Sequence, residues 1–320
     1  MDQKDIQETV PEDPIEDPKS SLENLYLELF DVTKNTLSSD INKENIEGAV
    51  KGVIEAFDTN LYNDLLLYFY QVSQDNYIIS HIANNVILAV GFGVSVGLSK
   101  DDLMDLGICA FCHDFGMVEY THFFQKRHQL TDEENRLVQR HTIESAKKFE
   151  NTFSEKIINA IIDVHENVNG QGYPSQKTGI EISFLSKMVA VCDVYEALTH
   201  ARNFRREFTS YEAIKLVIKQ INKVFDNRVV KRFVEFLSIY PIGGFVMLNT
   251  GETGMVIGSN RISPTKPIIK VLLNSKHEAE KSSKVINLVE ESMVYVVNPL
   301  DSKAEREILH FLTPRGSFSL

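Results

Sequence analysis

Histidine and aspartate residues inside apolar helical stretches constrain the fold of this chain more than any other feature. Apolar residues recur at helical spacing between residues 78 and 240, and six candidate metal ligands lie in or next to these stretches: His81, His113, Asp114, His141, His165 and Asp193. An ionised carboxylate in an apolar interior is costly unless it is paired or bound to a metal. Helical bundles that direct several His and Asp side chains inward can build a two-metal site. The pattern therefore predicts a mainly helical bundle, and an internal metal centre is one interpretation of the six residues.

Each of these residues also has a simpler interpretation. A single His on an apolar helix is more often a core residue that is hydrogen-bonded to the backbone. Asp193, in the apolar run MVAVCDVYEAL, could cap a helix or pair with an arginine. Independent explanations become implausible for six residues together. Periodicity alone, however, does not bring the side chains to one point.

Composition divides the chain into four predicted segments. Residues 1–20 contain seven acidic residues and three prolines, which is typical of a disordered acidic tail. Residues 21–72 form an N-terminal helical region that is either a sensory or dimerising unit or added core for its neighbour. Residues 73–240 form the helical domain that carries the six candidate ligands. Residues 241–320 contain five short β-rich runs, which predict a small barrel-like domain followed by a C-terminal tail.

Three helix starts within the central domain are marked by residues at capping spacing. A Ser or Thr is followed three positions later by an acidic residue in each case. The pairs are Ser99 with Asp102, Thr131 with Glu134, and Thr209 with Glu212.

The charge balance argues against proteins that bind nucleic acid or a membrane surface. Lys and Arg total 33 and Asp and Glu total 45, so the formal net charge is −12. Nonspecific binding to DNA, RNA or anionic lipid requires an excess of basic residues. No stretch approaches the roughly 18 consecutive apolar residues of a membrane span, and the N-terminus lacks the pattern of a signal peptide. With three cysteines that suit a reducing compartment, the chain is expected to be cytoplasmic.

Short motifs follow one another in a fixed order through the central domain. They are His81 in SHIANNVILAV, HDFG at 113–116, Leu130-Thr131 with Glu134 and then His141, HENVNGQGYP at 165–174, Asp193 in DVYEALT, and Arg202 with Arg205. This ordered set resembles the HD-GYP family, metal-dependent phosphodiesterases of cyclic di-GMP within the HD superfamily. The resemblance covers about half of the chain, residues 76–240.

The resemblance implies an HD-type bundle with two divalent transition metals, for which mixed His and carboxylate ligands favour Fe or Mn. His81, His113, Asp114 and Asp193 would hold the first metal; Asp114 would bridge to a second metal bound by His141 and His165. His113 and Asp114 would be catalytic, and metal-activated hydroxide would open the cyclic di-GMP ring to give pGpG or GMP. The nucleotide would contact Gly172, Tyr173, Arg202 and Arg205.

Five positions depart from the family's usual residues. Val164 replaces a His that binds the second metal, and Met117 replaces a Lys that neutralises phosphate charge. Asn169, Asn203 and Tyr77 stand where the family has Asp, Pro and Glu, and the change at Tyr77 argues against a third metal. Two alternatives therefore stay open: a catalytically weak receptor or scaffold for cyclic di-GMP, and an HD phosphohydrolase of another nucleotide. Protein partners of the N-terminal helices or the β-domain, and a homodimer, are also open.

Overall fold

The described part of the chain is a bundle of helices followed by a small antiparallel sheet. The computed structural model describes residues 18–38, 41–58, 65–66, 77–124, 130–200, 208–260 and 262–312. The helices before the sheet are α1 Pro18–Ser38, α2 Lys43–Phe57, α3 Tyr77–Ser95, α4 Lys100–Cys112, a 3-10 helix Phe115–Tyr120, α5 Thr121–Phe124, α6 Asp132–Val138, α7 His141–Phe149, α8 Glu155–Asp163, α9 Phe184–Thr199, α10 Ser210–Lys219 and α11 Asn227–Leu237.

Helix α3 is the central element of the bundle and packs against α4 and α9. Its residues from Ile78 to Gly93 are all buried. By length and composition α3 could cross a membrane, but 83% of its most apolar 18-residue window is buried inside the protein. The expectation that no stretch of the chain is long and apolar enough for a membrane span was therefore wrong for α3. A buried core helix passes the same test, so the hydropathy of α3 is weak evidence for a span.

The capping pairs predicted from the sequence are confirmed. The Ser99 hydroxyl accepts a hydrogen bond from the backbone N–H of Asp102 and begins α4. Thr131 before α6 and Thr209 before α10 each form a complete capping box with the Glu three residues later. Each cap satisfies backbone N–H groups that the first helical turn leaves unpaired.

The N-terminal helices share the core of the bundle. Helix α1 packs against α2 and α3, and α2 packs against α3 and α4. Leu29, Ile46 and Val50 are fully buried in one continuous core with side chains of α3 and α4. In the described residues this region therefore adds core to its neighbour. Residues 59–64 and 67–72 of this region, and the acidic tail up to residue 17, lie outside the described residues.

The C-terminal β-region forms an open sheet rather than the predicted barrel. Its strands are β1 Phe245–Leu248, β2 Thr253–Gly258, β3 Ile268–Leu273, β4 Val285–Asn287 and β5 Val296–Pro299, in the antiparallel order β4-β3-β2-β1-β5. A barrel would need β4 and β5 to pair, and in the described residues both are edges. Even spacing of short strands is shared by open and closed sheets, so the sequence pattern could not distinguish them. The predicted tail contains a further helix, α12 Ser302–Leu312.

Candidate metal centre

The six side chains predicted as metal ligands come together where α3, α4, α7, α8 and α9 meet. His81 lies in α3, His113 caps the end of α4 with Asp114 beside it, and Asp193 lies in α9. His141 is the first residue of α7, and His165 follows the end of α8. Residues far apart in the chain thus share one buried volume.

Two overlapping groups of these side chains have ligand atoms within 4.8 Å of one another. The first group is His81, His113, Asp114 and Asp193, all of them buried. The second group is Asp114, His141 and His165. Asp114 belongs to both groups, as a bridging carboxylate would.

In the first group, the imidazole of His81 lies between two carboxylates. Its Nε2 atom is 3.2 Å from an Asp114 oxygen and 3.1 Å from an Asp193 oxygen. The Nε2 atom of His113 is 3.6 Å from Asp114 and 4.0 Å from Asp193. The nitrogen and oxygen atoms therefore converge on a common centre, as the ligands of one ion do.

In the second group, the Asp114 oxygen that faces His113 also lies 3.4 Å from Nε2 of His141. The rings of His141 and His165 are in edge contact, with centroids 4.9 Å apart. Nδ1 of His165 lies 3.9 Å from an Asp193 oxygen. The group has three donors, and its His165 side chain retains 20% exposure, whereas that of His81 retains 1%.

Two buried imidazole nitrogens fit a metal because they lack a hydrogen-bond partner. Nδ1 of His113 donates to the carbonyl of Ala110 at 2.8 Å, and Nδ1 of His141 donates to the carbonyl of Val138 at 2.6 Å. Each donation fixes the proton on Nδ1 and leaves the Nε2 lone pair directed at the carboxylates. Both Nε2 atoms are buried without a hydrogen-bond partner, and a divalent cation would satisfy them.

The charge states of the two carboxylates and of His165 also suit a cation. Burial opposes ionisation of the Asp114 carboxyl, but the surrounding imidazoles, His113 foremost, hold its pKa well below the usual range. The pKa of Asp193 is lowered against burial in the same way. Burial, assisted by His141, lowers the pKa of His165 to about 4. Ionised carboxylates and a neutral imidazole are the forms that bind metals at neutral pH.

Gly116 of the HDFG motif allows two parts of the site to meet. A Cβ atom at Gly116 would collide with the backbone carbonyl of His141. The Gly116 N–H donates to the Ser145 hydroxyl at 2.7 Å. The motif thus needs glycine because the chain after Asp114 packs directly on the start of α7.

The loop after α8 places Tyr173 over the second group. The Tyr173 ring stacks on His165, with centroids 5.1 Å apart and 23° between the planes. Its N–H donates to the carbonyl of His165 at 3.1 Å. Gly172 has no space for a Cβ atom, which would collide with the backbone at Glu166 and Asn167. Burial raises the pKa of the Tyr173 hydroxyl, which therefore remains protonated and can donate a hydrogen bond.

Two buried acidic side chains, Glu166 and Asp163, accept hydrogen bonds from the loop residues that follow Tyr173. Glu166 accepts backbone N–H groups of Ser175 at 2.5 Å and Lys177 at 2.9 Å. The Lys177 ammonium donates to both oxygens of the buried Asp163, at 2.8 and 2.7 Å. These residues are not among the site residues predicted from the sequence. Their one sequence signal is the position of Asp163 and Glu166 beside the candidate ligand His165.

Glu196 is a further residue of the site that the sequence analysis missed. It is 1% exposed and its carboxylate accepts a hydrogen bond from Nδ1 of His81. Asn84 donates to its other oxygen at 2.9 Å. The available signal was a second acid in an apolar helix, three residues after Asp193 and therefore on the same face.

Val164 and Met117, two of the residues that depart from the family pattern, supply neither a metal ligand nor a cation. Val164 is 1% exposed and lies in the hydrophobic core. Met117 is half-buried in the 3-10 helix and packs against the same core. Arg202 and Arg205, predicted to contact the nucleotide, lie outside the described residues.

Two protein families match the chain. The family described as "HD domain" matches residues 77–229, which contain all six clustered side chains. The family described as "KOW domain associated with HD domain" matches residues 245–307, which include the sheet and part of α12.

Two curated proteins are similar over most of the chain. Cyclic di-GMP phosphodiesterase PA4108 of Pseudomonas aeruginosa is 29% identical over 229 residues, which cover 71% of this chain and 55% of that protein. Cyclic di-GMP phosphodiesterase PdeB of Borreliella burgdorferi is 28% identical over 221 residues, covering 68% and 56%. The chain therefore spans about half the length of these relatives.

A solved structure shows a similar fold. Bd1817, an HDG"Y"P protein from Bdellovibrio bacteriovorus, has a TM-score of 0.55 at 18% identity. The similarity covers 71% of this chain and 74% of that one.

Proposed function

Because the chain belongs to the HD-GYP family, with part of the family motif changed, we propose that it is a metal-dependent phosphodiesterase that hydrolyses cyclic di-GMP. The observation that carries the proposal is the pair of ligand groups joined by Asp114, with unpartnered Nε2 atoms on His113 and His141. The substrate is inferred from two relatives that bear the name cyclic di-GMP phosphodiesterase.

The first group would hold one divalent metal and the second group another, with Asp114 shared. We expect Fe or Mn because imidazole and carboxylate ligands together suit these ions. Bound metals would lower the pKa of a coordinated water and offset the negative charge of a phosphodiester. His113 and Asp114 are the proposed catalytic residues because both face the centre of the cluster.

The nucleotide would lie at the Tyr173 side of the cluster. Tyr173 has a protonated hydroxyl and an aromatic face next to His165, and Gly172 lets this loop approach the backbone of Glu166 and Asn167. Arg202 and Arg205 would bind phosphate or guanine. We expect Arg202→Ala to weaken cyclic di-GMP binding by about 1.5–3 kcal/mol, the range for a hydrogen bond to a charged group. Calorimetry with cyclic di-GMP and with GMP measures this difference, and equal, undetectable binding of both ligands would point to another substrate.

The second candidate function is a receptor or scaffold that binds cyclic di-GMP and turns it over weakly. It is favoured by the burial of Val164 in the hydrophobic core, where it supplies no donor to the second group. The HD phosphohydrolase of another nucleotide is the remaining alternative.

The deciding experiment combines elemental analysis with a turnover assay on protein purified without chelator. A phosphodiesterase should carry transition metal and convert cyclic di-GMP to pGpG or GMP, resolved by chromatography. Metal-loaded protein that binds cyclic di-GMP without converting it would favour the receptor. Conversion of a different nucleotide in a parallel panel would favour the third alternative, and a folded protein that takes up no metal would contradict the metal centre itself.

The wider organisation follows as part of the same proposal. The segments would be an acidic tail at 1–20, a helical region at 21–72, the catalytic domain at 73–240 and the β-domain with its tail at 241–320. We propose a cytoplasmic protein whose main partner is cyclic di-GMP. Protein partners would use the N-terminal helices or the β-domain, and size-exclusion chromatography with light scattering would identify a homodimer.

A further inference from the structure

His81 differs from the other buried histidines in how its ring can be oriented. His113 and His141 donate Nδ1 to backbone carbonyls three residues earlier, those of Ala110 and Val138. Both carbonyls lie in the last turn of a helix, where carbonyl groups have no intrahelical N–H partner. His81 lies inside α3, where the equivalent carbonyl belongs to the continuing helix. Its orienting acceptor must therefore come from another element.

Helix α9 provides that acceptor in Glu196. One carboxylate oxygen accepts from Nδ1 of His81. The other accepts from the Asn84 amide at 2.9 Å and lies 3.2 Å from Nδ1 of His200. A buried carboxylate with partners on both oxygens has one stable orientation, and it transmits that orientation to the imidazole.

We propose that Glu196 is a positioning residue that holds the His81 ring with Nε2 facing Asp114 and Asp193. The inference rests on the proposed metal centre and deepens it. With Nδ1 protonated toward Glu196, the Nε2 lone pair is directed at the centre of the first group, 3.1–3.2 Å from its two carboxylates. Carboxylates that orient a histidine ligand in this way also increase its basicity toward the metal.

The test is Mn²⁺ titration of the metal-stripped full-length chain by calorimetry. Glu196→Gln keeps the side-chain volume but removes the charge, and its amide N–H₂ can donate to Nδ1 and select the wrong tautomer. We expect a loss of about 10–100-fold in Mn²⁺ affinity at the first group, with partial recovery in Glu196→Asp. The control is Glu252→Gln, which changes a buried Glu that pairs with Lys284 in the sheet domain and should leave Mn²⁺ affinity unchanged.

A second measurement detects orientation without metal. Nitrogen-15 spectra of the His81 imidazole, recorded at a pH at which the ring is neutral, should show a proton on Nδ1 in the wild type and a changed Nδ1 signal in Glu196→Gln. Equal Mn²⁺ affinity in the wild type and Glu196→Gln would overturn the role of Glu196 while leaving the metal centre intact. A wild type that binds no Mn²⁺ would overturn the metal centre itself. If Glu196→Gln fails to fold, a wild-type spectrum without a proton on Nδ1 of His81 would still refute the positioning role.

Discussion

The two ligand groups share Asp114 but differ in how completely the protein encloses them. The first group has four donors, and its side chains are at most 10% exposed. Glu196 from α9 fixes the ring of His81. The second group has three donors, and its His165 lies on the loop after α8 with 20% of its side chain exposed. Val164, the residue before His165, provides no ligand.

This difference predicts unequal metal binding. More donors and deeper burial favour tighter metal binding at the first group. A metal at the second group would complete its coordination with solvent or substrate. We therefore expect the first metal to be retained through purification and the second to exchange with added metal.

The largest effect should come from the residue that belongs to both groups. Asp114→Ala removes the shared carboxylate, so both groups should lose most of their metal. The activation free energy of cyclic di-GMP hydrolysis should rise by several kcal/mol, which lowers turnover about a thousandfold or more. Elemental analysis and product chromatography measure the two losses. Asp226→Asn is the matched control, because Asn is an equally good cap for α11. Asp114→Ala protein that keeps its full metal content would contradict the bridging role.

Restoring the family's His at position 164 and its Lys at position 117 should make the second ligand group resemble that of a relative with the full motif. Loss of one transition-state charge contact costs about 10²–10³ in rate, so the wild type should be slow and stimulated by Mn²⁺ or Fe²⁺. Val164→His with Met117→Lys should raise turnover more than either change alone, because the metal held by the new His and the new Lys would act on one phosphate.

Two results would refute this explanation. Wild-type turnover already near a typical enzyme rate of order 10 s⁻¹ would show that the departures are harmless. A double variant with both metals bound and no turnover would favour the receptor function. Steady-state assays with matched metal analysis distinguish these outcomes.

Removing one histidine from each group tests the asymmetry directly. His81→Ala should abolish the tightly held metal, whereas His165→Ala should leave it in place and weaken only the exchangeable one. For each lost ligand we expect metal affinity to fall by about 10–100-fold or more. Losses of about 10–100-fold are typical when a residue that hydrogen-bonds to a ligand is removed. Competition with a chromogenic chelator measures both affinities. Equal retention in the two variants would mean that the groups do not differ in strength.

The same contrast shows what the sequence could predict. Thr131 with Glu134 and Thr209 with Glu212 are local patterns, and local rules were enough to place those helix starts. The pairing of His81 with Glu196 joins residues 115 positions apart, and no local rule selects that partner among the acids of the chain. Closure of the sheet depended on whether β4 and β5 meet, a long-range property that strand spacing does not encode.

The smallest predicted effect is a local one at the junction between the groups. Gly116→Ala places a methyl group against the His141 carbonyl, and overpacking of this kind costs about 1–3 kcal/mol of unfolding free energy. Because α7 must move to make room, the second group should lose metal affinity while the first keeps its own. Chemical denaturation and chelator competition measure the two effects. Gly48→Ala is the matched control: Gly48 lies in α2 with no atom within 4 Å of an added Cβ, so alanine should stabilise the helix by about 0.5–1 kcal/mol. If Gly116→Ala were as stable as the wild type and lost neither metal, direct packing of the HDFG motif on α7 would not be what holds His141 in the second group.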